Sequence, residues 1–204
     1  MADNKGIEGN LPYGKHFAPE LLVIDHGEGV WLWDKAGNKY LDFGAGIAVN
    51  SLGYGRDDFA EAVARQVKKL VHISNVFATQ PAIELGRLLV ASGPFEVVHF
   101  GNSGTEANET ALKFARAWSL RTKGEGHHKF LSFSGAFHGR TYGALSVTPT
   151  QKYREPFEPL VPGTFVSEYN NIADLEKTLD DTFAAVIVEV IQGEGGLAAI
   201  TPAF

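Results

Sequence analysis

Cysteine is absent from the 204 residues of this chain, and methionine occurs once. Without cysteine the protein can form no disulfide and can use no thiolate as a nucleophile, and this composition fits a reducing compartment. Basic residues form no block along the chain: 18 Lys and Arg are outnumbered by 24 Asp and Glu, and the net charge is −6. This balance argues against nucleic acid or an anionic membrane as the main partner.

Long apolar runs are absent too. No run approaches the ~20 apolar residues that span a bilayer, and the polar residues 1–6 lack the apolar core of a signal peptide. We therefore expect a cytoplasmic protein with neither nucleic acid nor membrane as a partner. Residues 1–15 are polar and rich in glycine, which predicts an N-terminal arm. The overall composition, 44% hydrophobic and 21% charged, is that of a globular protein with one sizeable core.

The first structured element that the sequence predicts is a β-hairpin. Residues 30–33 and 39–43 are largely apolar and aromatic, and they flank the turn sequence Asp34-Lys35-Ala36-Gly37-Asn38. Residues 44–55, which follow the second strand, are rich in glycine and predict a loop. The beginning of the chain therefore predicts a small antiparallel region.

Two helices are predicted next. Asp57 and Asp58 are candidate caps for a helix that runs to about Leu70, with basic residues near its end. A second helix follows residues 79–81 and stops before a Gly-Pro pair. The segment 71–77 between them has neither a helical nor a strand period, so it predicts a loop.

From residue 97 onward the predicted strands and helices alternate. Alternation of this kind predicts an α/β fold with a mainly parallel, doubly wound sheet. Ligands of such sheets lie outside the carboxyl ends of the strands. The predicted strands are 97–100, 129–133, 164–166 and a fully buried strand at 183–190; the predicted helices are 105–121 and one that Asn171 caps.

The first candidate site segment is the turn between residue 100 and the helix that follows. Ser103 and Glu106 have the spacing of a capping box. The turn presents free backbone N–H groups and the positive end of a helix dipole, which favour an anion and most often a phosphate. Gly104 lets an anion approach the backbone, and Thr105 can add a hydroxyl group. A well-capped turn that binds nothing is the alternative.

The second candidate segment is the loop of residues 134–141. Glycines on both sides expose Phe137, His138 and Arg140 at the end of a strand. An aromatic ring there suits stacking on a planar heterocycle, and an arginine suits bidentate binding of a carboxylate. Alternatively, Phe137 belongs to the core and Arg140 to a surface ion pair.

The third candidate segment begins at Glu189, which ends the predicted buried strand, and continues through Glu194. A buried acid is unfavourable unless it is paired, so Glu189 requires a cationic or hydrogen-bonding partner. A structural ion pair at Glu189 is the alternative to a role in the site. The sequence contains no cluster that we interpret as a metal site.

These segments together resemble one enzyme family. Residues 100–108, Phe-Gly-Asn-Ser-Gly-Thr-Glu-Ala-Asn, resemble the phosphate-binding segment of class III (ornithine, acetylornithine and 4-aminobutyrate type) aminotransferases. Residues 137–140 resemble the Phe/Tyr-His-Gly-Arg motif of that family, and residues 189–196 its Glu-Pro-x-Gln-Gly-Glu-Gly/Ala-Gly motif. With the run 152–163, the resemblance extends over nearly the whole chain, and it implies a fold type I aminotransferase.

Two departures from the family pattern are visible. Val190 stands where the family has proline, which changes local stiffness more than chemistry because it restores an N–H and frees φ. Residues 53–57, Gly-Tyr-Gly-Arg-Asp, stand where the family usually has Gly-His-x-His-Pro.

The resemblance also implies roles for the candidate residues. The cofactor is pyridoxal 5′-phosphate, with Phe137 stacked on the pyridine ring, Arg140 bound to the substrate's carboxylate, and Glu194 facing the substrate and paired with a C-terminal arginine. His138 and Glu189 support the cofactor site. The expected cofactor-binding residues are Ser103, Gly104, Thr105, Phe137, His138 and Glu189; the expected substrate-binding residues are Arg140 and Glu194.

Pyridoxal phosphate enzymes also need a lysine that binds the cofactor and a carboxylate on the ring nitrogen. In the family both follow the third segment, so we expect them after Phe204 and expect no catalytic residue within this chain. None of the eleven lysines stands at a strand end in an apolar frame. We therefore expect an incomplete fold: residues 1–56 form the arm and the small-domain hairpin, and residues 57–204 the first part of the large cofactor-binding domain.

The activity that the resemblance implies is transfer of an amino group from an ω-amino donor such as N-acetylornithine to 2-oxoglutarate. Ornithine, succinylornithine and 4-aminobutyrate are alternative donors. An aminomutase or a decarboxylase of the same fold is a second alternative, and a non-catalytic fragment is a third. The resemblance further implies a homodimer with the segment 71–80 near the subunit boundary.

Overall fold

The computed structural model describes residues 22–204, and the predicted N-terminal arm lies outside the described residues. The contacts within the chain divide it into two units, Met1–Gln80 and Pro81–Phe204. The predicted boundary after residue 56 stays a prediction. No helix within the described range is long and apolar enough to cross a membrane.

The first unit contains an antiparallel sheet of β1 (Ile24–Glu28), β2 (Trp31–Asp34) and β3 (Lys39–Leu41), in the order β1-β2-β3. Strands β2 and β3 confirm the predicted hairpin. Strand β1 was not predicted, because its sequence Ile-Asp-His-Gly-Glu has no alternation of apolar and polar residues.

Asp34 holds the turn of this hairpin. Its side chain is buried and its Oδ1 accepts hydrogen bonds from the backbone N–H groups of Ala36 and Asn38, both at 2.9 Å. Its Oδ2 accepts from the Asn38 amide at 2.8 Å and from the Tyr40 hydroxyl at 2.9 Å. The hydrogen bond from the Asn38 side chain is the largest cause that lowers the pKa of Asp34. The turn is therefore closed around one ionised carboxylate.

Two further elements complete the first unit: α1 (Ala45–Ala48), a single turn with positive φ angles, and α2 (Asp57–Lys69). Helix α2 confirms the predicted helix, but the predicted caps are wrong. Its N-cap is Arg56, and the Asp58 carboxylate binds the Arg56 guanidinium, with Nε at 2.9 Å. Asp57 and Asp58 instead lie in the first turn, where negative charge favours the helix dipole.

The second unit, which begins within helix α3, contains a parallel sheet with the strand order β5-β4-β6. A separate antiparallel pair, β7-β8, follows it. The elements are α3 (Gln80–Ala91), α4 (Gly104–Lys123), β4 (Lys129–Phe133), α5 (Tyr142–Ser146), α6 (Gln151–Arg154), a 3-10 helix (Glu155–Phe157), β5 (Thr164–Ser167), α7 (Ile172–Thr178), β6 (Phe183–Val186), β7 (Ile191–Gln192) and β8 (Ala198–Ala199).

Strand β4 lies at the centre of the sheet, and its side chains alternate between two cores. Phe130 packs with Leu112 of α4 on one face. Leu131 and Phe133 pack on the opposite face, where Leu175 of α7 joins them. Helices therefore cover both faces of a parallel sheet, which confirms the doubly wound prediction.

Two strand predictions are corrected. Residues 97–100 form no strand: within residues 22–204 no strand pairs with them, and Val97 is 85% exposed. An apolar segment becomes a strand only where a neighbour supplies hydrogen bonds. The strand predicted at 183–190 ends at Val186, and Val190 is 68% exposed. In the described part of the chain β6 pairs only with β4, so it lies at an edge and is not buried throughout.

Candidate functional site

The first predicted segment ends at the N-terminus of helix α4. Ser103 is the N-cap, and its Oγ accepts a hydrogen bond from the N–H of Glu106 at 3.3 Å. The Glu106 carboxylate reaches back to the N–H of Asn102 at 2.5 Å, one residue earlier than a capping box places it. Among residues 22–204, the N–H groups of Gly104 and Thr105 have no hydrogen-bond partner. They lie at the positive end of a 20-residue helix and are available to an anion.

The second segment leaves β4 as an irregular loop whose backbone is held by side chains. The N–H of Phe137 donates to Glu189 Oε1 at 2.8 Å, and the N–H of His138 donates to Thr148 Oγ1 at 2.9 Å. The Asn108 amide of α4 donates to the carbonyl of His138 at 2.6 Å. Glu189 therefore has the hydrogen-bonding partner that the sequence requires, and that partner is the backbone of the second segment.

The third segment joins the second through Gln192, which is 2% exposed. Its side-chain amide donates to the carbonyl of Ser134 at 2.9 Å. Gly135 has φ of +79°, and a Cβ there would stand 2.7 Å from the Oε1 of Gln192. A Cβ at Gly195 would stand 2.8 Å from the carbonyl oxygen of Gly135. The two loops approach so closely that only glycine fits at these positions.

The first and second segments meet at Gly139 and Thr105. Gly139 has φ of +133°, and a Cβ there would overlap Thr105 Oγ1 and lie 2.6 Å from Thr105 Cβ. The Thr105 hydroxyl is 3.0 Å from the hydroxyl of Thr141. The second segment therefore contacts both the first and the third, and the three predicted segments meet next to the carboxyl end of β4.

Arg140 is exposed beside two aromatic rings. Its guanidinium carbon lies 3.9 Å from the centre of the Tyr153 ring and 5.3 Å from the centre of the half-buried Phe137 ring. The Phe137 and Tyr153 rings contact each other edge to face, with centroids 6.4 Å apart. Within the described range Arg140 makes no ion pair. The surface ion pair that the sequence left open is therefore not formed with any residue of the described range, and the planar guanidinium is available to a ligand.

His138 lies behind this surface and is 5% exposed. Burial lowers the pKa of its imidazole, and the negative charge of Glu189 acts in the opposite direction. The Nε2 atom is buried and has no hydrogen-bond partner in residues 22–204. A buried polar atom without a partner is uncommon in proteins and marks a place where a further group can bind.

Glu194 is not joined to the other candidate residues. It is exposed in the turn between β7 and β8, and no hydrogen bond or ion pair connects it to another group in the described part of the chain. Its carboxylate is therefore available to a partner that the described residues do not supply.

Several residues of this site had no role in the sequence analysis. Spacing could have identified Glu109, because it follows Thr105 by four positions and so shares its face of α4. The others contact the site only through the tertiary fold, although all of them except Thr148 lie in segments that the sequence analysis singled out. These residues are Asn108, Glu109, Thr141, Thr148, Tyr153 and Gln192.

A model of one protein family, described as aminotransferase class-III, matches residues 13–204 of the chain. A curated relative named probable acetylornithine aminotransferase, mitochondrial, from Dictyostelium discoideum is 51% identical over 185 residues, which are 90% of this chain and 41% of the relative. Acetylornithine aminotransferase from Archaeoglobus fulgidus is 46% identical over 89% of this chain and 47% of its own length. The chain spans less than half the length of these relatives.

Solved structures of similar fold carry related names. The ornithine aminotransferase of Toxoplasma gondii aligns with a TM-score of 0.86 at 32% identity, over 93% of this chain and 46% of that one. An (S)-enantioselective ω-transaminase from Thermomicrobium roseum aligns with a TM-score of 0.83 at 34% identity, over 90% of this chain and 46% of that one. These alignments confirm the fold type I prediction.

The contact between Gly139 and Thr105 can be tested with Gly139→Ala. Because the new Cβ overlaps the Thr105 side chain, we expect the free energy of unfolding to fall by about 1–3 kcal/mol more than in the control. The control is Gly126→Ala, where φ is +90° and nothing lies within 4 Å of the new Cβ. Urea unfolding of both variants of the full-length protein measures the difference. If both variants lose the same free energy of unfolding, the contact between Gly139 and Thr105 does not contribute to stability.

The buried His138 predicts a pH dependence. Its pKa is lowered in the folded state, so the unfolded chain binds a proton first as pH falls through the ordinary value of 6.5. The folded protein therefore loses stability as pH falls from 6.5 toward the lowered pKa. In His138→Asn we expect a smaller loss than in the wild type when urea unfolding is compared at about pH 7.5 and about pH 5.5. His99→Asn, which removes an exposed imidazole, is the control; the same loss in all three proteins would contradict the assignment.

Proposed function

The chain belongs to the class III aminotransferases, and on this basis we propose that the protein transfers an amino group from an ω-amino donor to 2-oxoglutarate with pyridoxal 5′-phosphate as its cofactor. N-acetylornithine is the donor that we place first. The relatives at 46–51% identity that are named acetylornithine aminotransferases support this choice. Because the chain spans less than half of these relatives, the proposal concerns the whole protein that contains it.

The residues of the site fit pyridoxal phosphate in charge and shape. The free N–H groups of Gly104 and Thr105 suit its phosphate, with Ser103 as the N-cap beside them. The half-buried ring of Phe137 suits stacking on a planar heterocycle. The Nε2 of His138, which has no hydrogen-bond partner among residues 22–204, offers a buried polar atom behind this ring. When bound, the cofactor supplies an electron-accepting ring for amino-group transfer.

Glu189 supports this site through the backbone. Its Oε1 holds the N–H of Phe137 and thereby sets the place of the ring that would stack on the cofactor. The carbonyl of Glu189 accepts a hydrogen bond from the Tyr169 hydroxyl at 2.8 Å, which fixes the other end of the residue. We assign no proton transfer to Glu189. The catalytic lysine that the family resemblance implies is proposed to lie outside these 204 residues.

The substrate assignment rests on the surroundings of Arg140. It stacks on Tyr153, makes no ion pair within residues 22–204, and stands in the loop directly before the residue that contacts Thr105. A planar guanidinium in this state binds a carboxylate through two parallel hydrogen bonds. We propose that Arg140 binds the carboxylate of the amino donor. The exposed Glu194 is proposed to face the substrate and to pair with an arginine elsewhere in the protein.

A homodimer in the cytoplasm is also part of the proposal. Phe59, Val63 and Val67 form an apolar row on α2, and each is at least 46% exposed in the described structure. Apolar surface of this kind is typical of a protein interface. The neighbouring segment 71–80 is proposed to lie at the subunit boundary.

The proposed reaction can be followed by absorbance. We expect the full-length protein to bind pyridoxal phosphate with a visible absorbance band, to lose that band on addition of N-acetylornithine, and to regain it with 2-oxoglutarate. Isotope-labelled donor nitrogen should appear in glutamate, which separates amino transfer from an aminomutase or a decarboxylase. Ornithine and 4-aminobutyrate serve as competing donors. Absence of any cofactor band in the full-length protein would contradict the proposal.

Arg140→Lys tests the carboxylate assignment. The variant keeps the charge but loses the planar fork, so the KM for N-acetylornithine should rise by about tenfold or more, while the urea midpoint changes little. Arg121→Lys, an exposed arginine at the end of α4, is the matched control and should leave the KM unchanged. A loss of stability without a change in KM would instead assign Arg140 to folding.

A further inference from the structure

Glu109 binds the beginning of helix α5 from across the site. Its Oε1 accepts hydrogen bonds from the Thr141 hydroxyl at 2.5 Å, from the N–H of Gly143 at 2.9 Å and from the N–H of Ala144 at 3.1 Å. Thr141 is the N-cap of α5, and its own side chain makes no cap hydrogen bond. The Oε1 atom of Glu109, a residue of α4, therefore accepts from two N–H groups in the first turn of a different helix, α5.

The approach of α5 to this carboxylate is as close as glycine allows. A Cβ at Gly143 would overlap Glu109 Oε2 and would lie 2.9 Å from Glu109 Cδ. Glu109 is half-buried. Its side chain lies between its own helix, α4, and the backbone of α5. The carboxylate therefore packs directly against the segment that follows Arg140.

Glu109 also sets the direction of the hydroxyl groups next to it. The Glu109 Oε1 atom accepts, so the Thr141 hydroxyl donates its hydrogen bond to Glu109. The oxygen of Thr141 then accepts from the hydroxyl of Thr105, which lies 3.0 Å away. The Thr105 hydroxyl therefore donates to Thr141, the Thr141 hydroxyl donates to Glu109, and Glu109 accepts.

Arg140 lies between two residues that are both held against α4. On one side, Gly139 packs against Thr105; on the other, Thr141 donates to Glu109. We propose that Glu109 is a positioning residue that holds Arg140 in register with the anion-binding turn, so that a substrate's carboxylate and the cofactor's phosphate are bound at a fixed separation. This inference rests on the proposed function, and Glu109 itself contacts neither group.

The test compares two amines that differ only in the carboxylate. N-acetylputrescine is N-acetylornithine without its α-carboxylate, so the ratio of kcat/KM for the two amines measures carboxylate recognition. In Glu109→Ala we expect this ratio to fall at least about tenfold, because a displaced guanidinium loses its paired hydrogen bonds. Glu109→Gln should retain most of the ratio, since its amide oxygen can accept the same three hydrogen bonds.

Asp174 supplies the matched control. Its Oδ2 accepts from the Ser167 hydroxyl at 2.7 Å and from the N–H of Glu168 at 2.8 Å, so this carboxylate also holds a hydroxyl group and a backbone N–H, but in a different loop. Asp174→Ala should lower stability and leave the ratio unchanged. A ratio that falls equally in both alanine variants would overturn the proposal, because it would reflect general loosening. A wild-type ratio in Glu109→Ala would overturn it as well.

Amide hydrogen exchange separates this proposal from the proposed function. Exchange across residues 139–146 of the full-length protein without substrate should be faster in Glu109→Ala and unchanged in Asp174→Ala. If the wild type transfers nitrogen from neither amine, the proposed function fails, and exchange alone then supports or overturns the link between Glu109 and the Arg140 segment.

A further variant covers the case in which Glu109→Ala does not fold. Thr141→Val removes the hydroxyl that joins Glu109 to Thr105 at nearly constant side-chain volume. We expect it to lower the ratio several-fold. If Thr141→Val exchanges and discriminates like the wild type, the positioning role is overturned.

Discussion

The loop of residues 134–141 leaves strand β4 and stays irregular up to the N-cap of α5, so its backbone polar groups need partners from elsewhere in the fold. Four side chains provide them: Glu189 and Thr148 accept from the N–H groups of Phe137 and His138, while Asn108 and Gln192 donate to the carbonyls of His138 and Ser134. These side chains come from α4, from the residues that follow α5 and from the third segment. The loop therefore has its observed shape only when α4 and the segment after β6 are assembled around it, and the candidate ligand-binding groups depend on that shape.

Steric constraint acts together with these hydrogen bonds. Gly135, Gly139 and Gly143 each bring the backbone so close to a polar side chain that an added Cβ would stand within 2.7 Å of it. The contact partners are Gln192, Thr105 and Glu109, one from the third segment and two from the first turns of α4. Such close packing keeps the loop from relaxing when a ligand is absent. Arg140 and Phe137 thus project from a backbone that is held on both sides, which favours binding without a large loss of entropy.

Local signals predicted the elements of the sheet well. Strand β4 has the predicted bounds, and Asn171 caps α7 as predicted, with its side chain accepting from the N–H of Asp174 at 3.1 Å. The failures have a common cause. The segment 97–100 has strand composition but no strand beside it in the described part of the chain, and Asp58 binds Arg56 instead of capping α2. In both cases the outcome depended on whether an interaction partner is present, which local propensity does not encode.

The sequence alone determined which residue types follow each strand, because capping, glycine turns and apolar periodicity act over a few neighbouring residues. It therefore located Ser103, Gly104, Phe137, Arg140 and Glu189 on segments expected at one edge of the sheet. Only the tertiary structure decided which residues contact each other. Glu189 binds a backbone N–H rather than a cation, Arg140 stacks on Tyr153, and Glu109 binds the start of α5. These contacts join residues between 13 and 52 positions apart, and a chain's local preferences carry no information about pairs at such distances until the sheet brings them together.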